Sequence, residues 1–247
     1  MSQTPHAHEA KPPFTVRIVP VTPFQQNCSI IRAANGKAAV VDPGGEPEKI
    51  LQAAKDFDAE IEQIWITHGH LDHAGGAMAL KRATGAPIIG PHKEDTFWLD
   101  EIADHWAKYG HPGMGENCTP DKWLNDGDEL ELDGAKFDVV YTPGHTPGHV
   151  VLYNKDANIA FVGDVLFAGS IGRTDFPRGD HDTLISSITQ KLWPLGDVQF
   201  VPGHGPVSTF NRERQSNPFV ADSVTGYQGA AKTPANEMDQ KLSKRWQ

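Results

Sequence analysis

The sequence predicts an α/β protein in which two β-sheets pack face to face with helices outside them. Two observations predict it. Runs with the two-residue period of strands give way to runs with the helical period, and this happens twice along the chain. The 247 residues are 38% apolar, enough for one compact domain with a sizeable core. That domain is expected over residues 14–220, between a flexible arm at 1–13 and a tail at 221–247. The arm, MSQTPHAHEAKPP, is polar and lacks the apolar segment of a secretory signal.

The amino end reads as strand. Phe14, Val16 and Ile18 alternate with Thr15, Arg17 and Val19, and NCSII and KAAVVD follow with a turn between them. From Glu46 to Phe57 a helix is expected, with Pro47 at its start and Ile50, Leu51, Ala54 and Phe57 at helical spacing. IEQIWIT reads as a buried strand, Ala74 to Thr84 as a helix, and PIIG as a short strand. Residues 92–123 read as an insertion: a helix rich in Trp, His and Tyr, then the loop HPGMGENCTPDKW. Strands are next expected at DELEL, KFDVV, HVVLY and NIAFVG. A helix from about Asp182 to Trp193 carries Leu184, Ile185, Ile188 and Leu192 on one face and is expected to stop at Pro194. VQFV is the last expected strand, and RERQSNPFVADS contributes to a helix.

Composition excludes several classes. The 22 Lys and Arg against 32 Asp and Glu leave a formal charge of −10, which opposes a general grip on phosphate backbones. No stretch is apolar and long enough to span a membrane. Cys28 and Cys118 are too few for a disulfide framework and lack metal-binding spacing, so both are expected as buried apolar residues in a cytoplasmic protein.

The chemistry sits where strands end. IWI runs into Thr67-His68-Gly69-His70-Leu71-Asp72-His73, four potential ligands within six residues. One ion cannot easily use all four from so short a loop, which suggests two adjacent metals; imidazoles and a carboxylate suit zinc, iron or manganese. His145 in TPGHTPGH, Asp164 in GD and His204 in PGHG each follow an apolar run, with glycines that permit tight turns. Strands rising through a core deliver such residues to one rim. His149 begins a strand beside this set and is a candidate to support it from behind; His6, His8, His92, His105, His111 and His181 show no ligand pattern.

These motifs, TxHxHxDH, PGHT, GD and PGHG with the early VVDPGG, resemble the metallo-β-lactamase superfamily over roughly residues 14–210. The resemblance implies a four-layer αββα sandwich of two mixed sheets. It implies that His68, His70 and His145 bind one metal, that Asp72, His73 and His204 bind the other, and that Asp164 bridges them. Asp42 would support the ligands from behind. Asp164, where lactamases of this fold commonly have Cys, and the stretch GDVLFAGSIGRTDFPRGD resemble the glyoxalase II type. The expected activity is therefore hydrolysis of a small thioester, such as S-lactoylglutathione, by a hydroxide between two divalent ions, zinc being the first choice. Two cations lower the pKa of a shared water from 15.7 towards about 7. Asp72 would orient that nucleophile, and Arg173 and Arg178 are candidates to hold a substrate carboxylate.

The sequence also departs from glyoxalase II. Only 43 residues follow His204, and the aromatic partner expected two positions after Arg173 is Asp175. Trp98, Trp106 and Tyr109 of the insertion either rebuild the substrate wall or pack the insertion on the domain. One rival is a persulfide dioxygenase with a single iron on His68, His145 and Asp164; a rival of another class is a non-catalytic metal-binding protein. Against the second, a structural zinc wants only a closed four-ligand site.

Overall fold

A computed structural model describes residues 13–229 of the chain. The expected arm lies outside the described residues except for Pro13, and so does the tail beyond Gly229.

The first sheet is built from β1 (Phe14–Val21), β2 (Gln26–Ala33), β3 (Lys37–Val41), β4 (Glu60–Trp65) and β5 (Ile88–Ile89), in that spatial order. Its first three strands are antiparallel, and β3, β4 and β5 are parallel. Then follow β6 (Glu129–Leu132), β7 (Ala135–Tyr141), β8 (Val150–Asn154), β9 (Ile159–Gly163), β10 (Leu166–Phe167), β11 (Ser170–Ile171), β12 (Gln199–Pro202) and β13 (Ser208–Thr209). β10 and β11 form a separate hairpin. The others form the second sheet, ordered β13-β12-β9-β8-β7-β6, with β9 and β12 parallel and the remaining pairs antiparallel. The helices are α1 (Pro47–Lys55), α2 (Leu71–Ala74), α3 (Ala77–Thr84), α4 (Thr96–Leu99), α5 (Ile102–Lys108), α6 (His181–Ser187), α7 (Phe210–Ser216) and α8 (Asp222–Thr225).

Strand alternation explains the layers, because successive side chains point to opposite faces. Ile31 and Val41 face inward and join Trp65, Phe137, Leu152 and Phe161 in the core between the sheets. Their neighbours Ile30 and Val40 face outward and pack with Ile50, Leu80 and Trp106 of the helices. On the far side Val162 and Phe200 meet Leu184, Ile188 and Phe210. The result is the expected αββα sandwich of two mixed sheets.

Some local expectations change. The helix expected at 74–84 is broken at Gly75-Gly76, because the loop after β3 presses there: Gly76 N donates to Pro43 O at 2.9 Å, and a Cβ on Gly75 would lie 2.9 Å from Gly44 O. The single helix expected in the insertion is two short ones, α4 and α5, preceded by a 3-10 turn at Lys93–Asp95. After α6 the chain does not stop at Pro194. It widens into a π-helical turn at Ile188–Leu192 and tightens into a 3-10 turn at Trp193–Leu195, and Pro194 occupies the start of that last turn, where its missing N–H costs nothing.

Candidate metal centre

The direction of the strands brings the ligands together. β7, β9 and β12 run the same way, so His145, Asp164 and His204 emerge from one edge of the second sheet. β4 of the first sheet delivers His68 to His73 to the same edge. Three groups of side chains have their ligand atoms within 4.8 Å of one another: His68, His70 and His145; Asp72, His73 and His204; and, behind them, Asp42 with His68 and His73. The first two face a cleft.

In the first group, His70 Nδ1 lies 3.1 Å from His68 Nε2 and 3.0 Å from His145 Nε2. The outer nitrogens fix two of these rings. His145 Nδ1 donates to Arg173 O at 2.7 Å, and His68 Nδ1 lies 3.1 Å from Thr67 Oγ1, which itself donates to Asp42 Oδ2 at 2.6 Å. With those outer protons in place, His68 and His145 present lone pairs inward, and a single proton on His70 cannot satisfy both. Burial, together with the other imidazoles, pushes His68 and His70 well below the usual histidine range; burial also lowers His145. Three neutral imidazoles converging on one point are the donor set a divalent cation requires.

The second group is richer in carboxylate. Asp72 Oδ2 lies 3.2 Å from His204 Nε2 and 3.9 Å from His73 Nε2. His204 Nδ1 donates to Phe24 O at 3.1 Å, and His73 Nδ1 donates to Asp42 Oδ2 at 2.9 Å, so both rings aim Nε2 at the cluster. Asp164 lies between the groups: Oδ2 is 3.6 Å from both His145 Nε2 and His204 Nε2, and Oδ1 is 3.3 Å from His73 Nε2. Burial alone would lower His73 and raise Asp164. Their mutual attraction outweighs it, holding His73 well above and Asp164 well below their usual ranges. Burial would lower His204 too, but Asp72 and Asp164 raise it.

The residues fit metal ions on a further observation. His70 Nε2, His73 Nε2 and Asp164 Oδ1 are buried without a hydrogen-bond partner. Buried polar atoms are rarely left so. For His73 and Asp164, a cation between the facing nitrogen and oxygen supplies what the protein does not.

Three further residues support the site, of which Thr67 and Asp95 were not apparent from sequence. His149 Nε2 accepts from Asp164 N at 3.1 Å, and its ring stacks on His68 with centroids 4.7 Å apart. Thr67 links Asp42 to His68, as above. Asp95 is buried and accepts from Gly69 N at 2.8 Å and Thr146 Oγ1 at 2.7 Å, and also from Gly148 N, tying the loop of His68 and His70 to the loop of His145. Burial pushes its carboxyl up to about 6, against the pull of those three donors.

A cleft of about 760 Å³ opens onto His70, Asp72, His145, Asp164 and His204, while His68 and His73 are fully buried beneath them. Trp98 and Phe176 pack edge-on to His70, with centroids 4.5 and 5.0 Å away, and line the cleft. Arg173 lines it as well, but its guanidinium is bonded twice to Asp175, at 2.7 Å each. Arg178 is not brought to this cleft; it pairs with Glu94 and lines a separate depression with His92 and Tyr141. Of the insertion's aromatic residues, Trp98 and Tyr109 reach the cleft and Trp106 is buried in the core. Cys28 and Cys118 are buried free thiols. No helix among the described residues is long and apolar enough to cross a membrane.

Comparison with known proteins shows the family of the chain. The family profile of the metallo-beta-lactamase superfamily matches residues 21–204. The chain is 46% identical to the hydroxyacylglutathione hydrolase GloC of Haemophilus influenzae, over 84% of this chain and 98% of that one. Its structure is similar to that of the BLEG-1 B3 metallo-beta-lactamase, with a TM-score of 0.78 at 32% identity over 86% of this chain and all of the other. It is also similar to TTHA1623 in a di-iron-bound form, with a TM-score of 0.75 at 32% identity over 83% of this chain and all of the other. For ETHE1 from Myxococcus xanthus the TM-score is 0.69 at 25% identity, over 83% of this chain and 84% of the other. The chain is a metallohydrolase belonging to the metallo-beta-lactamase superfamily.

Proposed function

We propose that the protein is a glyoxalase II-like thioesterase that cleaves S-lactoylglutathione or a related 2-hydroxyacyl thioester in the cytoplasm. The observation that carries this reading is the pair of side-chain triads with Asp164 between them, at 3.6 Å from a histidine of each. The likeness to a hydroxyacylglutathione hydrolase supports the choice of substrate. His68, His70 and His145 would hold one divalent ion and Asp72, His73 and His204 the other, with Asp164 shared; zinc is the first choice, and iron and manganese suit the same donors. Ions bound there supply an acidified water at neutral pH and polarise a carbonyl.

The residues of the chain do the rest. Asp72, at the cleft floor, accepts a hydrogen bond from the attacking water and fixes its direction. Trp98 and Phe176 keep bulk water from His70, which strengthens every charge interaction at the floor. The departing sulfur leaves as a thiolate, which at an ordinary thiol pKa of about 8.5 needs no strong acid. A mononuclear persulfide dioxygenase, the second reading, is favoured by the likeness to ETHE1 but makes no use of Asp72, His73 and His204. The test is turnover of S-lactoylglutathione by protein of known metal content, alongside oxygen uptake with glutathione persulfide. Hydrolysis that stops on chelation and returns with metal is expected. Oxygen uptake without hydrolysis would overturn the reading.

A further inference from the structure

The wall of the cleft away from the metal centre has a one-sided chemistry. Its only lining carboxylates among the described residues are Asp72 and Asp164, both of the metal cluster. The remainder is mostly aromatic and aliphatic surface, including Phe24, Trp98 and Phe176, with the hydroxyl residues Ser170 and Tyr109 and three basic side chains: His105, Lys108 and Arg173. Two of these three are already engaged. Arg173 is held by Asp175, with its guanidinium 4.2 Å above the Phe176 ring, and His105 lies 3.3 Å from Glu101. Lys108 makes no ion pair among the described residues.

Helix α5 explains the placement. His105, Lys108 and Tyr109 are three and four residues apart and share one face, which the helix turns towards the cleft, while Trp106 points into the core and anchors it. Phe24 locks the arrangement: its ring stacks on Trp106 at 5.5 Å and meets Tyr109 edge-on at 5.7 Å, and its carbonyl accepts from His204. Lys108 thus stands exposed at the cleft on a helix that is anchored beside the metal cluster, on a chain whose overall charge is −10.

We propose that Lys108 is the specificity residue of the cleft and holds a carboxylate on the thiol half of the substrate. The class of substrate is then an acyl thioester of a carboxylate-bearing thiol, lying along the aromatic wall with its acyl carbon over the metal centre. The hold comes from the insertion and replaces Arg173, which Asp175 neutralises. This inference rests on the thioesterase reading for its substrate, so its test includes a measurement that needs no turnover.

Binding of S-benzylglutathione, a thioether that cannot be hydrolysed, is measured by calorimetry on wild type, Lys108→Ala and Lys108→Arg. The expected result is a Kd about tenfold higher in the alanine variant, the scale of one charge-assisted contact, and near wild type in the arginine variant. In parallel, kcat/KM is measured for S-lactoylglutathione and for the uncharged S-lactoyl-N-acetylcysteamine. Loss is expected in the alanine variant for the first and none for the second. An unchanged Kd, an equal loss on both thioesters, or no binding by wild type would overturn the proposal. A Kd shift in a protein that hydrolyses neither thioester would retain the role of Lys108 and remove the thioesterase reading.

Discussion

Asp42 supports one ligand of each triad: Oδ2 accepts from His73 Nδ1 and from Thr67 Oγ1, and the Thr67 hydroxyl lies against His68 Nδ1. Removing it frees two rings at once, so Asp42→Ala is expected to weaken metal binding by roughly 10–100-fold, read by chelator competition. Unchanged affinity would deny Asp42 this role. Asp72→Ala is expected to abolish turnover while circular dichroism and Tm stay near wild type, because Asp72 borders the cleft rather than the core. Asp95 gives a pH signature. Its folded carboxyl titrates near 6 against an ordinary 3.8, so its contribution to stability is full below about 3.8 and is lost as pH rises through 6. Asp95→Asn places an amide N–H against backbone donors and is expected to cost about 1–3 kcal/mol near pH 4. Urea melts should show that deficit narrowing towards pH 7; a deficit that widens contradicts the assignment. The seven candidate ligands that the structure brings together stand out in sequence because each is a His or Asp beside glycine or another such residue at a strand end. Asp95 and Thr67 do not stand out, since their partners lie on other segments and a lone Asp or Thr has no pattern; His149 is marked only by its place at a strand start beside the site.

At the scale of elements, strands were legible where alternation ran for four residues or more, as in β1 and β7, or where an apolar run was continuous, as in the fully buried β8. The two-residue strands β10, β11 and β13 fall below the length at which a period exists. The helix interruptions at Gly75-Gly76 and along 188–195 coincide with a Gly-Gly pair and with Pro194, but whether such residues break a helix or only reshape its turns is set by tertiary packing. The turns that end strands carry the element-scale prediction. Gly203 follows β12, and a Cβ there would lie 2.1 Å from Asp164 Oδ1 and 2.5 Å from His73 Cε1. Gly203→Ala is therefore expected to displace the shared carboxylate and reduce activity by at least about a hundredfold, a loss of roughly 2.7 kcal/mol in transition-state stabilisation, while the sheets persist. Wild-type turnover in this variant would mean that Asp164 does not sit where the reaction occurs.

The whole molecule is a device for bringing two sheets' strand ends to one edge. The first sheet contributes the ligands after β4, the second those after β7, β9 and β12, and neither sheet alone holds either triad complete apart from its partner. The sandwich architecture was legible from the twice-repeated alternation and its apolar strands. The cleft above it was only partly so: the insertion's aromatic residues divide between wall and core, and Arg173 and Arg178 are each matched with a nearby acid, which residue type alone does not reveal. The most direct test of this account is the metal content of purified, metal-reconstituted protein after dialysis, by plasma mass spectrometry, for wild type and His204→Ala. The account predicts about two divalent ions per chain in wild type and about one in the variant. One ion or none in wild type, or the same content in both proteins, would contradict it.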